Sequence, residues 1–348
     1  MKANNPFTLT FGKQPTKYIY RAENSGDIIS TFSAEHPVWQ TYLISGIRGS
    51  GKTVLMTSVA NELLESKEWV VADLNSSRPL LEDLAMRLYD ICKKTPDLLK
   101  SGFDISIAGF GVGIGETERE QDNVSKIKSC LEILGKKGKK LLITVDEVSN
   151  SADMRLFASQ FQIFVRQNYP IFLIMTGLYD NITAIQNDPA LTFLLRSPRI
   201  FLEPLSLMQI TVQYKEIFSL DIESAKKLAA TTRGYAFAFQ AFGMLYFEYR
   251  ESLSSDEILY RFDAILDDYV YRKIWNGMSD QDKKIALYLA QNGTSQTKDI
   301  CEGIGMDMKV FSKYRERLIN KGVVTSPQWG KLELALPRFG EIVTIYTD

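Results

Sequence analysis

The residues Gly46-Ile47-Arg48-Gly49-Ser50-Gly51-Lys52-Thr53 match the pattern G-x-x-x-x-G-K-[ST] in full. Glycines at this spacing let the backbone turn tightly and bring its N–H groups to a polyphosphate without a side-chain clash. A helix starting directly after the loop would add its unpaired N–H groups and partial positive charge to the same anion. Lys52 is then placed to reach β- and γ-phosphates, and the Thr53 hydroxyl to bind Mg²⁺. Gly46, Arg48, Gly49, Ser50, Gly51, Lys52, Thr53 and Val54 are the expected nucleotide contacts.

A second stretch suits the same chemistry. Leu141-Leu142-Ile143-Thr144-Val145 is a continuous apolar run closing on Asp146-Glu147, as in a central parallel strand buried on both faces. Ligands of open α/β sheets bind at the carboxyl ends of such strands. Asp146 is expected to hold Mg²⁺ through water, and Glu147 to polarise an attacking water as general base. Ile171 to Gly177 reads as a further buried strand, and Thr176 at its end could orient that water or cap a turn. No Asn-Lys-x-Asp base-reading motif occurs, which disfavours GTP.

The positioning elements follow from pattern. The apolar run within 39–45 precedes the loop as a strand, and Val54, Leu55, Val59, Leu63 and Leu64 follow it at helical spacing. Trp69 to Leu74 and Ile200 to Leu202 are further strand candidates. Helices are expected over Pro79–Lys93, Val124–Leu134 and Ser151–Gln167, and another closes at Leu191–Leu195. Phe103 to Glu116 alternates around a glycine cluster and suggests a β-hairpin. Residues 1–38 read as mostly irregular, with a short helical stretch from Ile28 to Phe32. Tyr20 and Arg21 lie where a base-binding segment often sits, with local packing as the alternative.

After about residue 203 the pattern turns helical: Ser206–Phe218, Glu223–Thr232, a helix through Tyr249, and Asp256–Tyr271. Strands alternating with helices, then helices alone, indicate a parallel-sheet domain followed by a helical lid. The tail offers helices over Asp280–Gln291, Thr297–Ile304 and Met308–Asn320, then a hairpin around 326–330, the layout of a winged helix. The third tail helix carries Lys309, Lys313, Arg315, Arg317 and Lys321 against Asp307 and Glu316. Its partner could be DNA or a protein. The boundaries expected are 1–38 for the N-terminal segment, 39–203 for the nucleotide core, 204–275 for the lid and 276–348 for the winged helix.

Composition narrows the classes. A chain of 348 residues with 45 % hydrophobic content can hold two or three cores, and a net charge of −1 supplies no global field for nucleic acid or membrane. Cys92, Cys130 and Cys301 form no C-x-x-C pair, which suits a reducing cytoplasm. His36 is the sole histidine, so a multi-histidine zinc site is excluded. No apolar run approaches the roughly 20 residues of a membrane span, and Met1 to Pro6 lacks the apolar region of a signal peptide.

With the loop, the Asp146-Glu147 pair, Thr176 and the Arg233-Gly234-Tyr235 helix start in this order, the chain resembles the AAA+/STAND group of P-loop ATPases. It is most similar to archaeal-type AAA ATPases related to origin-recognition initiators. The resemblance implies an α/β P-loop NTPase sheet with helical lid and winged helix, ATP or ADP with Mg²⁺ as cofactor, and ATP hydrolysis. It also implies that Thr176 is a sensor-1 residue, that Arg233 acts like a sensor-2 arginine, and that Arg196 or Arg199 is a trans-acting arginine finger in a homo-oligomer. Two positions depart from the family: Tyr20-Arg21 replaces the usual Gly-Arg, and Gly234-Tyr235-Ala236 lacks the proline of Gly-x-Pro. A nucleotide-gated DNA-binding module with slow turnover and an ADP-holding signalling switch are the alternative functions.

Overall fold

The computed structural model describes residues 4–10, 15–94 and 116–347. The chain forms two compact units. The sheet unit comprises Arg21–Ser45 and Lys52–Phe201; the helical unit comprises Met1–Tyr20, Gly46–Gly51 and Leu202–Asp348.

In the sheet unit, α1 (Ala22–Ser33) and β1 (Thr41–Ser45) precede α2 (Lys52–Leu64), β2 (Trp69–Leu74) and α3 (Leu80–Lys94). Then follow α4 (Glu116–Lys136), β3 (Lys140–Val145), α5 (Ala152–Arg166), β4 (Ile171–Gly177), α6 (Tyr179–Gln186), a 3₁₀ segment (Pro189–Arg196) and β5 (Arg199–Phe201). Among the described residues five parallel strands pair in the order β2-β3-β4-β1-β5. The central strands β1 and β4 are buried along their whole length, as both-face coverage requires. Leu43, Leu141, Ile143, Val145, Leu173 and Met175 enter one core with residues of α3, α4 and α5. On alternate positions Tyr42 and Phe172 pack on Phe32 of α1, with ring centroids 5.4 and 4.9 Å away.

The strand order singles out one end of the sheet. β1 lies between β4 and β5, while the next strand, β2, lies at the far edge. The direction of winding therefore reverses beside β1, where open α/β sheets bind ligands. Ile44 pairs with Thr176, and Val145 with Met175, so the ends of β1, β4 and β3 are level.

The helical unit contains α7 (Leu207–Phe218), α8 (Ile222–Thr231), α9 (Ala236–Tyr249) and α10 (Ser255–Leu266), followed by a π turn (Asp267–Tyr271) and α11 (Arg272–Asn276). Next come α12 (Asp280–Asn292), β6 (Ser295–Gln296), α13 (Thr297–Ile304), α14 (Met308–Asn320), β7 (Val324–Thr325), β8 (Lys331–Leu334) and α15 (Phe339–Thr344). β6, β8 and β7 form an antiparallel sheet in that order. One apolar core runs through the unit, from Phe7 through α7 and α9 to Phe339 and Val343. Phe7 packs 5.5 to 5.9 Å from the rings of Tyr214, Phe218 and Phe239. Tyr271 Oη donates to Pro337 O at 2.6 Å, and Arg338 clasps Asp263 of α10 through two bonds of 2.9 and 2.6 Å.

Some elements differ from the sequence expectation. Residues 22–33 form one helix of 12 residues, where only Ile28–Phe32 was expected. Ser25 and Gly26 weaken local helix preference, but burial of the apolar Ile28 and Phe32 overrides it. The helix expected to close at Leu195 is two pieces, α6 and the 3₁₀ segment, which is itself interrupted at Leu191. The helix expected through Tyr271 ends at Leu266 and passes into the π turn. The hairpin expected at 103–116 lies almost wholly outside the described residues. Among the described residues no helix is long and apolar enough to cross a membrane.

The turn before α9 is tightly constrained. Arg233 and Gly234 hold φ of +46° and +75°, and Gly234 O accepts the Leu205 N–H at 2.7 Å. A Cβ at Gly234 would lie 2.5 Å from Leu205 O. Gly234→Ala is therefore expected to destabilise the unit by about 2 kcal/mol or more, read as a lower denaturant midpoint. An unchanged midpoint would show the turn to be pliable.

Candidate functional site

In the sheet unit the site is built on strand ends. Lys52 and Thr53 open α2, and Lys52 is buried to 9 % exposure, unusual for a lysine. Thr53 Oγ1 donates to Asp146 Oδ2 at 2.7 Å. The other carboxylate oxygen, Oδ1, accepts from the Thr176 hydroxyl and, at 3.0 Å, from Glu147 N–H. Asp146 is thus oriented by three partners, and the β3 and β4 ends are tied further by Val148 N–H donating to Thr176 O at 2.8 Å. On β3, Thr144 Oγ1 also donates to Asp73 Oδ1 of β2 at 2.9 Å, a carboxylate that the sequence pattern did not single out.

Glu147 leaves the strand with φ +53°, a left-handed conformation costing a non-glycine residue about 1 kcal/mol. That turn leaves its side chain exposed just past the strand end. Strain concentrated beside a metal-type carboxylate is a common mark of a working residue.

The residues fit Mg²⁺. Thr53 Oγ1 and Asp146 Oδ2 converge at 2.7 Å, so the hydroxyl could bind the ion while the carboxylate holds one of its waters. A hydroxyl and a carboxylate are also the hard oxygen donors that Mg²⁺ selects.

The loop Gly46–Gly51, continuous in the chain with β1 and Lys52, packs within the helical unit. Gly49 and Gly51 hold φ of +74° and +93°, which L side chains rarely adopt. Gly49 O accepts the Phe237 N–H at 3.0 Å, and Arg48 O accepts from Tyr235 Oη at 2.5 Å. A Cβ on Gly49 would collide with that hydroxyl. No local sequence signal marks Tyr235 or Phe237 as partners of the loop, because the contact spans 187 positions.

The remaining candidates are placed less centrally. Arg233 Nη1 donates to Leu334 O of β8 at 2.7 Å. Arg21 precedes α1 and makes no capping bond with its side chain. Arg199 is committed internally: it donates to Ser45 Oγ at 3.0 Å, Thr183 Oγ1 at 2.9 Å and Tyr179 O at 3.3 Å, and covers the Tyr179 ring at 4.3 Å. Burial lowers its pKa below the usual arginine value. Arg196, by contrast, is exposed. On α14, Arg317 pairs with the buried Asp282 at 2.6 Å, so it belongs to the packing and leaves Lys309 and Lys313 on the outward face.

Comparison with known proteins bears on the fold. A Walker-type ATPase of Pyrococcus abyssi superposes with a TM-score of 0.63 at 13 % identity, over 94 % of this chain and 96 % of that one. The ORC2 protein of Aeropyrum pernix, solved as ADPNP–ADP complexes, gives 0.58 at 12 % identity over 94 % of each chain. Cdc6p of Pyrobaculum aerophilum gives 0.53 at 14 % identity, over 97 % of this chain and 96 % of that one. The chain therefore shares its fold with these archaeal ATPase, ORC2 and Cdc6p structures. Residues 268–343 match a family model described as a domain of unknown function (DUF8462). A search of curated proteins found no match.

Proposed function

We propose that this chain binds Mg²⁺ and an adenine nucleotide at residues 46–53 and hydrolyses ATP, using the nucleotide state to reposition a lid (204–275) and a winged helix (276–348). The observation that carries the reading is the convergence of Thr53 Oγ1 and Asp146 Oδ2 at 2.7 Å directly after a complete phosphate-loop motif. Gly46, Arg48, Gly49, Ser50, Gly51 and Val54 would line the phosphates, and Lys52 would span the β- and γ-phosphates. Thr53 and Asp146 would hold Mg²⁺, which supplies charge neutralisation during phosphoryl transfer. Asp146 is kept aimed by Thr176 and Glu147 N–H. Glu147 would accept a proton from the attacking water. Arg21 would reach the base and Arg233 would sense the nucleotide. Arg196, exposed where Arg199 is committed, is the better arginine finger for a neighbouring copy.

The direct test is calorimetric titration of the purified chain with ATP and ADP, with and without Mg²⁺, alongside phosphate release. Magnesium-dependent binding with slow turnover is expected. Absence of any adenine-nucleotide affinity would end the proposal.

A second reading, DNA engagement by the winged helix, draws on the exposed Lys309 and Lys313 of α14. Each phosphate contact contributes about 0.9 to the slope of log affinity against log salt. Removing both lysines is expected to flatten the slope for duplex DNA by about 2. An unchanged slope would direct this face to a protein partner. Arg317 is unsuitable for that test, since its pair with Asp282 holds α14 to α12.

A further inference from the structure

We propose that Tyr235 is a positioning residue for phosphate recognition, fixing the Arg48–Gly49 peptide so that the Gly49 N–H faces the bound phosphate. The inference rests on the nucleotide reading above and assigns a role to a residue outside the motif.

The physical basis is the peptide plane. In a trans peptide the carbonyl and the following N–H point in opposite directions within one rigid plane. A donor that captures Arg48 O therefore also aims the Gly49 N–H to the other side. Tyr235 Oη is that donor, at 2.5 Å. The next plane is pinned as well: Gly49 O accepts from Phe237 N–H at 3.0 Å, while Ser50 N–H turns back to Ile47 O at 3.2 Å. Two consecutive planes are thus set from the first turn of α9. The φ of +74° at Gly49 lets them take this orientation.

Tyr235 is built for this. Its side chain is 6 % exposed and its ring stacks on Tyr271 at 6.3 Å with an interplanar angle of 25°. Burial pushes its phenol far above the usual tyrosine range, so the hydroxyl remains a donor at any working pH. The residue follows the left-handed pair Arg233 and Gly234, which fixes its approach to the loop. Without the hydroxyl, Arg48 O loses this donor and the plane is held less firmly about its flanking dihedrals.

The test compares the full-length protein with Tyr235→Phe and Tyr271→Phe. The second variant removes an equivalent tyrosine-to-carbonyl bond, Tyr271 Oη to Pro337 O at 2.6 Å, without touching the loop. Affinity for ADP and for pyrophosphate alone is measured by calorimetry, with thermal unfolding of the nucleotide-free proteins as the control. Tyr235→Phe is expected to weaken both ligands roughly tenfold, since one aimed donor is lost. Tyr271→Phe is expected to unfold at a similarly lowered temperature and bind as the parent does. Parent-like affinity in Tyr235→Phe, or equal losses in both variants, would overturn the proposal. A parent protein that binds neither ligand would instead remove the nucleotide reading itself.

Discussion

Glu147→Gln is expected to lower ATP turnover on the order of 100- to 10,000-fold, the usual range for loss of a general base, while leaving nucleotide affinity nearly unchanged. Glutamine matches the shape of glutamate but cannot take a proton from water. The backbone of Glu147 is held independently of its carboxylate, through N–H bonds to Asp146 Oδ1 at 3.0 Å and Thr176 Oγ1 at 3.4 Å. The left-handed turn at φ +53° should therefore survive the substitution. Single-turnover phosphate release together with ADP and ATP titrations checks the split between chemistry and binding. Parent-like turnover would remove Glu147 from the reaction; weakened binding would mean that it shapes the site instead.

Lys52→Ala is expected to weaken ATP binding on the order of 100-fold. Hydrogen bonds to charged groups are worth about 1.5–3 kcal/mol each, and the upper part of that range corresponds to this loss. The ammonium begins α2, where the helix end adds its own positive potential. Both contributions favour an anion, but only the side chain is removed by the substitution. Residual binding should therefore persist through the loop N–H groups and the Thr53 hydroxyl. Calorimetry at matched ionic strength measures the difference. An affinity equal to the parent's would place the phosphates elsewhere.

The centre of the site was legible in the sequence because its residues are adjacent or close a single strand. The pattern 46–53 and the run ending at Asp146-Glu147 each carry their own local signal, and the register of β3 on β4 brings Asp146 beside Thr176. The strands themselves were legible because burial on both faces leaves unbroken apolar runs, as in β3 and β4. What the sequence left open depends on tertiary contact. Arg199 looks as available as Arg196 until Ser45, Thr183 and Tyr179 are found around it. Arg317 looks like one more charge on a basic helix until Asp282 is found buried beneath it. α1 runs longer than its local sequence signal because Ser25 and Gly26 speak against a helix, while Phe32 and its aromatic neighbours decide the matter.

The placement of Phe7 bears on how the chain is made. Its side chain occupies the space a Cβ on Gly243 would need, and Thr8 N–H reaches Gln240 across 232 positions. At roughly 5–20 residues per second, a ribosome needs on the order of 10–50 s to deliver those partners after Phe7 emerges. The sheet unit, whose residues 21–45 and 52–201 are completed earlier, can condense during that wait. The stretch around Phe7 is then synthesised before the sheet unit and docked after it, a vectorial order set by where one phenylalanine finds its pocket.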